Sequence, residues 1–222
     1  MPRENVHLRS GNVGGGFGYK IFLHPEQLCV SWAAKKLRKT VRWQQDRSEG
    51  FVSDLQGRDI HSFAKALVSN TGKIKALQFK NHANLGSWLS NFGVYVPTKS
   101  TCRTLTTLYD ISFVSFEGTG VVTNTPAIDA YRGAGRPEAN YMMERLMDKI
   151  AFDLNLDRIE VRKANLIQPE QIPYKTVCSG TIDSGDMPAL FDVAQKNANV
   201  AGFEDRKKNS LENGCLLYTS DA

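Results

Sequence analysis

After Pro137, apolar residues recur at three- and four-residue steps: Ala139, Met142, Met143, Leu146, Met147, Ile150, Ala151 and Leu154. That spacing predicts one long helix with a single wide apolar face, which must be buried against a second layer. The rest of the sequence offers strands for that layer. Residues 61–68 and 73–83 read as strands around Ser69-Asn70-Thr71-Gly72, which has hairpin-turn chemistry. Further strands are expected at residues 5–9, around 41–43, and over 105–116 and 120–123. Shorter helices are expected at residues 25–37, through Leu28, Trp32 and Ala33, from Asp157, with Glu160 completing a capping box, and over 188–197. The expected fold class is α+β, mixed sheets with packed helices.

A chain of 222 residues is long enough for a packed core, and no apolar run approaches the roughly 20 residues of a bilayer span. Residues 1–6 lack both a basic leader and an Arg-rich amphipathic pattern, so neither a membrane span nor an export signal is expected, and the chain reads as cytoplasmic. The formal charge of +5 raises the question of a polyanionic partner, but the basic residues are scattered. The densest run, Lys35-Lys36-Leu37-Arg38-Lys39, falls at an expected helix end, where cations complement the dipole and face solvent. No nucleic-acid partner is expected from it. Cys29, Cys102, Cys178 and Cys215 form no CxxC pair and the four histidines are dispersed, which speaks against a zinc or iron–sulfur site within the chain.

Two glycine-rich loops remain. Val13-Gly14-Gly15-Gly16-Phe17-Gly18-Tyr19-Lys20 places four glycines in five positions, removing the side chains that keep a ligand from the backbone amides. It has neither the G-x-G-x-x-G register of a dinucleotide fold nor a Ser or Thr after Lys20, so it is either a plain tight turn or a cofactor cradle of another kind. The second, Ala130-Tyr131-Arg132-Gly133-Ala134-Gly135-Arg136, lies directly before the long helix and brings two guanidinium groups to its amino-terminal end. Either an anion binds there, or Arg132 and Arg136 pair with carboxylates such as Asp129 or Glu138. Two anion-friendly loops would also suit a nucleotide- or polyanion-binding module without catalysis.

In this order and with these letters, the two loops resemble the cofactor and active-site loops of molybdopterin-binding large subunits in the xanthine dehydrogenase, aldehyde oxidase and carbon monoxide dehydrogenase superfamily. The similarity runs from about Glu4 to about Gly202 and includes Asp46-Arg47-Ser48-Glu49, Thr123-Asn124-Thr125-Pro126 and Asp183-Ser184-Gly185-Asp186. The chain is thus identified as an internal piece of such a subunit. The resemblance implies a molybdenum-dependent oxidoreductase that hydroxylates a small molecule with water. Its cofactor would be molybdenum-molybdopterin in the cytosine dinucleotide form, contacted by Gly15, Gly16, Phe17, Gly18, Arg132, Gly133, Ala134 and Gly135. It also implies a small subunit with 2Fe-2S clusters and a medium subunit with FAD, assembled as a dimer of heterotrimers.

The differences from the family narrow the substrate. Its carbon monoxide dehydrogenases carry a cysteine in the second loop, the soft ligand that copper(I) requires, and no sulfur occurs in Arg132-Gly133-Ala134-Gly135-Arg136. Its purine oxidisers carry a glutamate and a phenylalanine where Ile21 and Ala134 stand here, and neither of these can hydrogen-bond to or stack on a purine. An aldehyde or an aromatic N-heterocycle remains. The family's general base lies near the end of a longer subunit, and Glu49, Glu138 and Glu144 read as caps or solvated helix residues, so no catalytic residue is assigned and the piece is expected to be inactive alone. Residues 1–214 read as part of the molybdopterin-binding region. Residues 215–222 do not continue the family pattern and read as an adapter-derived, non-native tail.

Overall fold

In the computed structural model, which describes residues 2–217, the long apolar stripe forms helix α4 (Arg136–Leu154). Its buried face is Ala139, Met143, Met147, Ile150 and Ala151, with Met142, Leu146 and Leu154 partly covered. Opposite lies a three-stranded sheet in the order β1-β2-β3. Strands β1 (Ile60–Val68) and β2 (Ile74–Gly86) form the expected antiparallel hairpin, and β3 (Phe113–Val122) pairs parallel to β2. Side chains alternate across a strand, so Leu77, Phe79, Ala83 and Leu85 of β2 point to the core with Leu105, Tyr109 and Ile111 from the crossover. These observations bear out the α+β expectation.

Helix α5 (Arg158–Asn165) is tied to the hairpin by one buried amide. Asn165 Nδ2 donates to the carbonyls of Gly72 and Val161 at 2.9 and 2.8 Å, and its Oδ1 accepts from the Ile74 amide at 2.8 Å. Asp157 caps α5 through the amides of Ile159 and Glu160. Beyond it come a short hairpin of β4 (Tyr174–Lys175) and β5 (Thr181–Ile182), then α6 (Met187–Asn197) and α7 (Phe203–Glu212). Toward the amino terminus, α1 (Pro25–Leu37) and α2 (Arg47–Ser53) are joined by irregular chain. No residue from 2 to 59 is buried.

Three strand expectations fail. Residues 5–9 and 41–43 pair with nothing among the described residues. Val6, Leu8 and Trp43 stay 47%, 93% and 45% exposed. Alternation predicts a strand only where an edge accepts it. Residues 105–108 form turns and Tyr109 makes only an isolated bridge to Leu166, so the expected strand starts at Phe113, and it runs on unbroken through residues 117–119, which read as a break in the sequence. Gly118 is needed because a Cβ there would lie 2.9 Å from Thr98 Cγ2. Helices α2 and α7 were not expected, although Asp46 and Glu49 form a reciprocal capping box at the start of α2. Of the expected tail, residues 218–222 lie outside the described residues. Among the described residues no helix is long and apolar enough to cross a membrane.

Candidate cofactor-binding site

The first glycine loop turns on left-handed residues: Gly15, Phe17 and Gly18 have φ of 93°, 52° and 97°. Glycine is dictated at Gly18, where a Cβ would lie 2.5 Å from the carbonyl oxygen of Ala130 and 3.4 Å from Tyr131 Cα. The first loop therefore lies directly on the second, although more than 110 residues separate them in sequence. By contrast a Cβ on Gly14 would meet nothing within 4 Å, and one on Gly16 only Lys20 Cβ at 3.8 Å. Among the described residues no protein acceptor takes the amides of Gly14, Gly15, Gly16, Phe17 or Gly18. Bare glycine backbone with free amides is a cradle that an anionic group can fill.

The second loop is held from behind. The Ala134 amide donates to the Tyr131 carbonyl at 2.7 Å, Ser100 Oγ donates to the Ala134 carbonyl at 2.6 Å, and Gly135, buried, starts α4. A Cβ on Gly135 would lie 2.7 Å from the Val96 carbonyl oxygen and 2.9 Å from the Thr101 nitrogen, so only glycine allows this approach at its φ of 94°. Ahead of the loop, Asp129 is 2% exposed and accepts from the main-chain amides of Ala130 and Phe92.

Arg58 organises the junction, and sequence reasoning missed it. Its own φ is 58°; its Nη2 donates to the Arg132 carbonyl, its guanidinium stacks 4.6 Å over the Tyr131 ring, and its Nε pairs with Glu138 at 3.3 Å. The carboxylates considered for Arg132 and Arg136 are therefore engaged otherwise. Arg136 donates to the Gly133 carbonyl at 3.2 Å, within its own loop. The Arg132 guanidinium faces the Phe17 ring at 6.0 Å. Gly133 serves local packing, since a Cβ there would lie 2.5 Å from Pro137 Cγ.

Beside this junction opens a cleft of about 1110 Å³, lined by Gly14, Gly15, Gly16, Phe17, Tyr131 and the start of α2 among others. Of the expected site residues, Gly15, Gly16 and Phe17 line it, Gly18 seats their loop on Ala130, and Arg132, Gly133, Ala134 and Gly135 are not part of its lining. Lys20, Arg47, Asp46 and Asp54 also line it, together with Arg58, whose charge is balanced by Glu138. Burial, and then the Asp54 carboxylate beside it, raise the Tyr19 phenol far above its usual range, so it stays a neutral donor here. The volume exceeds that of common small-ligand pockets and suits an extended molecule. Residues 46–49 belonged to the family resemblance. Their capping box is the sequence signal for the start of α2, although not for its place beside the cleft.

Glu49 closes its helix cap, accepting from the Asp46 amide at 3.3 Å. Glu144 accepts from Tyr109 Oη at 2.7 Å and pairs with Arg162 at 2.8 Å, and Glu138 has a side chain only 12% exposed. The last two are thus structural carboxylates, where the sequence had suggested solvated ones.

The sequence model of the molybdopterin cofactor-binding domain matches residues 1–166. The carbon monoxide dehydrogenase large chain of Hydrogenophaga pseudoflava is 34% identical over 191 residues, covering 84% of this chain and 23% of that one. Quinoline 2-oxidoreductase from Pseudomonas putida 86 superposes with a TM-score of 0.85 at 28% identity, covering 91% of this chain and 26% of the other. CO dehydrogenase from Oligotropha carboxidovorans superposes at 0.84 and 28%, covering 95% and 26%. The chain thus spans about a quarter of the length of these relatives. A family match across three quarters of the sequence, on a fold shared with these enzymes, places the chain in the molybdopterin cofactor-binding domain family of molybdenum hydroxylase large subunits.

Proposed function

We propose that this chain supplies one wall of the molybdenum cofactor pocket in a large subunit that hydroxylates an aldehyde or an aromatic N-heterocycle. The observation that carries this reading is the meeting of the two loops: Gly18 against Ala130, and the Phe17 ring facing the Arg132 guanidinium beside a cleft with free amides. The molybdopterin, in its cytosine dinucleotide form, would supply the two-electron redox chemistry when bound. The amides of Gly15, Gly16 and Gly18 and the Arg132 guanidinium would hold its anionic groups, with Phe17 walling off water above them. Gly133, Ala134 and Gly135 would fix the second loop so that Arg132 points at the cleft. Iron–sulfur and FAD subunits would take the electrons onward in a dimer of heterotrimers, in the cytoplasm.

Carbon monoxide and purines are disfavoured as substrates. The second loop offers no thiolate for copper(I), and Ile21 and Ala134 offer no hydrogen bond or aromatic face. Residues 1–214 are the family portion and 215–222 a non-native tail, so deleting 215–222 should leave the thermal midpoint unchanged.

The test uses the complete subunit with its partner subunits. Arg132→Ala should lower bound molybdenum and turnover far more than Arg136→Ala, whose side chain serves only its own loop. Equal and mild effects would remove Arg132 from the site. The 222-residue chain alone should show no turnover with an artificial electron acceptor, because a general base commonly contributes about 10²–10⁴-fold and none is assigned here. Stoichiometric molybdenum with turnover in the isolated chain would overturn this reading.

A further inference from the structure

Two cysteines far apart in sequence meet beneath the second loop. Cys102 belongs to the short helix α3 (Thr101–Arg103), directly after the residues that seat the loop: Ser100 Oγ donates to the Ala134 carbonyl at 2.6 Å, and Thr101 is fully buried against Gly135. Cys178 lies in the tight turn between β4 and β5. There the Thr176 amide donates to the Gly180 carbonyl at 3.0 Å, and Gly180 N–H donates to Thr176 Oγ1 at 2.9 Å. The turn rests on α3, since a Cβ on Gly180 would lie 3.6 Å from the Arg103 carbonyl oxygen. Cys178 and Cys102 are thereby brought together as neighbours across this contact. Both are half-buried and free, whereas Cys29 and Cys215 are exposed.

We propose that Cys102 and Cys178 form a dithiol that closes to an intrachain disulfide by exchange with a low-molecular-weight disulfide, and that closure tethers the β4–β5 turn to the floor of the second glycine loop. In the first step Cys102, as thiolate, attacks the small disulfide. Its S–S bond breaks, one small thiol leaves, and a mixed disulfide forms on Cys102. In the second step Cys178 gives up its proton and attacks the Cys102 sulfur, releasing the second small thiol, which takes that proton. The small disulfide is reduced by two electrons and the protein dithiol is oxidised by two. Burial, and then the adjacent Cys102 sulfur, push the Cys178 thiol up, which fits it to the second step rather than the first.

The test uses the 222-residue chain carrying Cys29→Ser and Cys215→Ser, equilibrated with oxidised and reduced glutathione. Intact mass should show the loss of two hydrogens, and a non-reducing peptide map should show Cys102 joined to Cys178. The thermal midpoint should rise by roughly 5–10 °C on oxidation. Trypsin cleavage after Arg132 should slow at least about threefold if local opening of the loop governs it. Cys102→Ser and Cys178→Ser, each in the same background, should stop at a single glutathione adduct without the gain in midpoint. Two adducts on one chain, or free thiols across the whole redox range, would show that the sulfurs do not reach each other. A disulfide that forms without slowing cleavage would overturn the tether.

Discussion

The two glycine loops are built from much the same residues and are held in opposite ways. The first belongs to a stretch, residues 2–59, with no buried residue, and Gly14 leaves open space where a side chain would stand. The second is seated on Val96, Ser100 and Thr101 and runs straight into the helix that carries the core. At Gly14 glycine leaves room for a ligand, whereas at Gly18 and Gly135 it lets one backbone approach another. One half of the site is therefore fixed by this chain's own core. The other half rests on that core at Gly18 and around Arg58.

The largest expected contrast between the halves is in their helices. Met143→Ala or Met147→Ala empties a fully buried position on α4 and should cost about 2–5 kcal/mol in denaturant unfolding. Leu28→Ala on α1, at a side chain 56% exposed, should cost less than about 1 kcal/mol. Similar losses from the two would mean that α1 is packed as firmly as α4, and the division between the halves would disappear.

The loops themselves sharpen the contrast. Gly135→Ala drives a Cβ into the Val96 carbonyl and the Thr101 amide at a left-handed φ, and should cost about 2–3 kcal/mol. Gly14→Ala meets open space and should stay within about 0.5 kcal/mol, while narrowing the cleft. Global stability would then respond at the second loop, and ligand binding at the first. The reverse pattern in urea titrations of the two variants would break the assignment of roles.

Arg58 sits between the halves and tests their coupling. Arg58→Met keeps the hydrocarbon stem but leaves the mostly buried Glu138 carboxylate without its guanidinium, a loss of about 1–2 kcal/mol once partial exposure is allowed for. Glu138→Gln in the same protein should recover part of that loss. If the double variant is no better than the single, the Arg58 contribution lies in its stacking on Tyr131 and its bond to the Arg132 carbonyl.

What was legible in the sequence follows the same division. Helix α4 and the β1–β2 hairpin were readable because their periodicity and turn chemistry agree with the packing they receive. The short strand expectations at residues 5–9 and 41–43 failed because alternation is informative only where a sheet edge exists. The loops could be located from their glycines and their family resemblance, and a single cofactor contacting both implies that they meet. Arg58 was not legible at all. Its role depends on a left-handed backbone and on a carbonyl 74 residues away, and no local pattern encodes either. Nor did spacing reveal Cys102 and Cys178 as neighbours, because that contact depends on where the β4–β5 turn lands.

The smallest expected effect comes from two tyrosines, one in each half, each beside a carboxylate. Tyr174 Oη donates to Asp110 at 2.9 Å on the core side, and Lys73 pairs with the same carboxylate at 3.3 Å. Burial by itself would raise Asp110, but the Tyr174 hydroxyl and then the Lys73 ammonium outweigh it and hold the carboxyl below its ordinary 3.8. Burial, followed by the bond to Asp110, pushes the Tyr174 phenol up from 10.0 to about 12. The two signs bound a plateau. Asp110, depressed in the fold, contributes stability that is present above 3.8 and lost as pH falls through its folded value. Tyr174, raised in the fold, contributes stability that is present below 10.0 and lost as pH climbs toward about 12. Tyr174→Phe should therefore cost about 1 kcal/mol in urea unfolding at neutral pH, with the deficit shrinking at both ends of the range. Tyr19→Phe is the counterpart in the exposed half. Its phenol is raised as well, by burial and then Asp54, but it lies in a stretch with no buried residue, so its neutral-pH cost should be the smaller of the two. A Tyr174→Phe deficit that stays constant from acid to alkali would show that the Asp110 bond does not form, and equal costs for the two tyrosines would show that the halves are held alike.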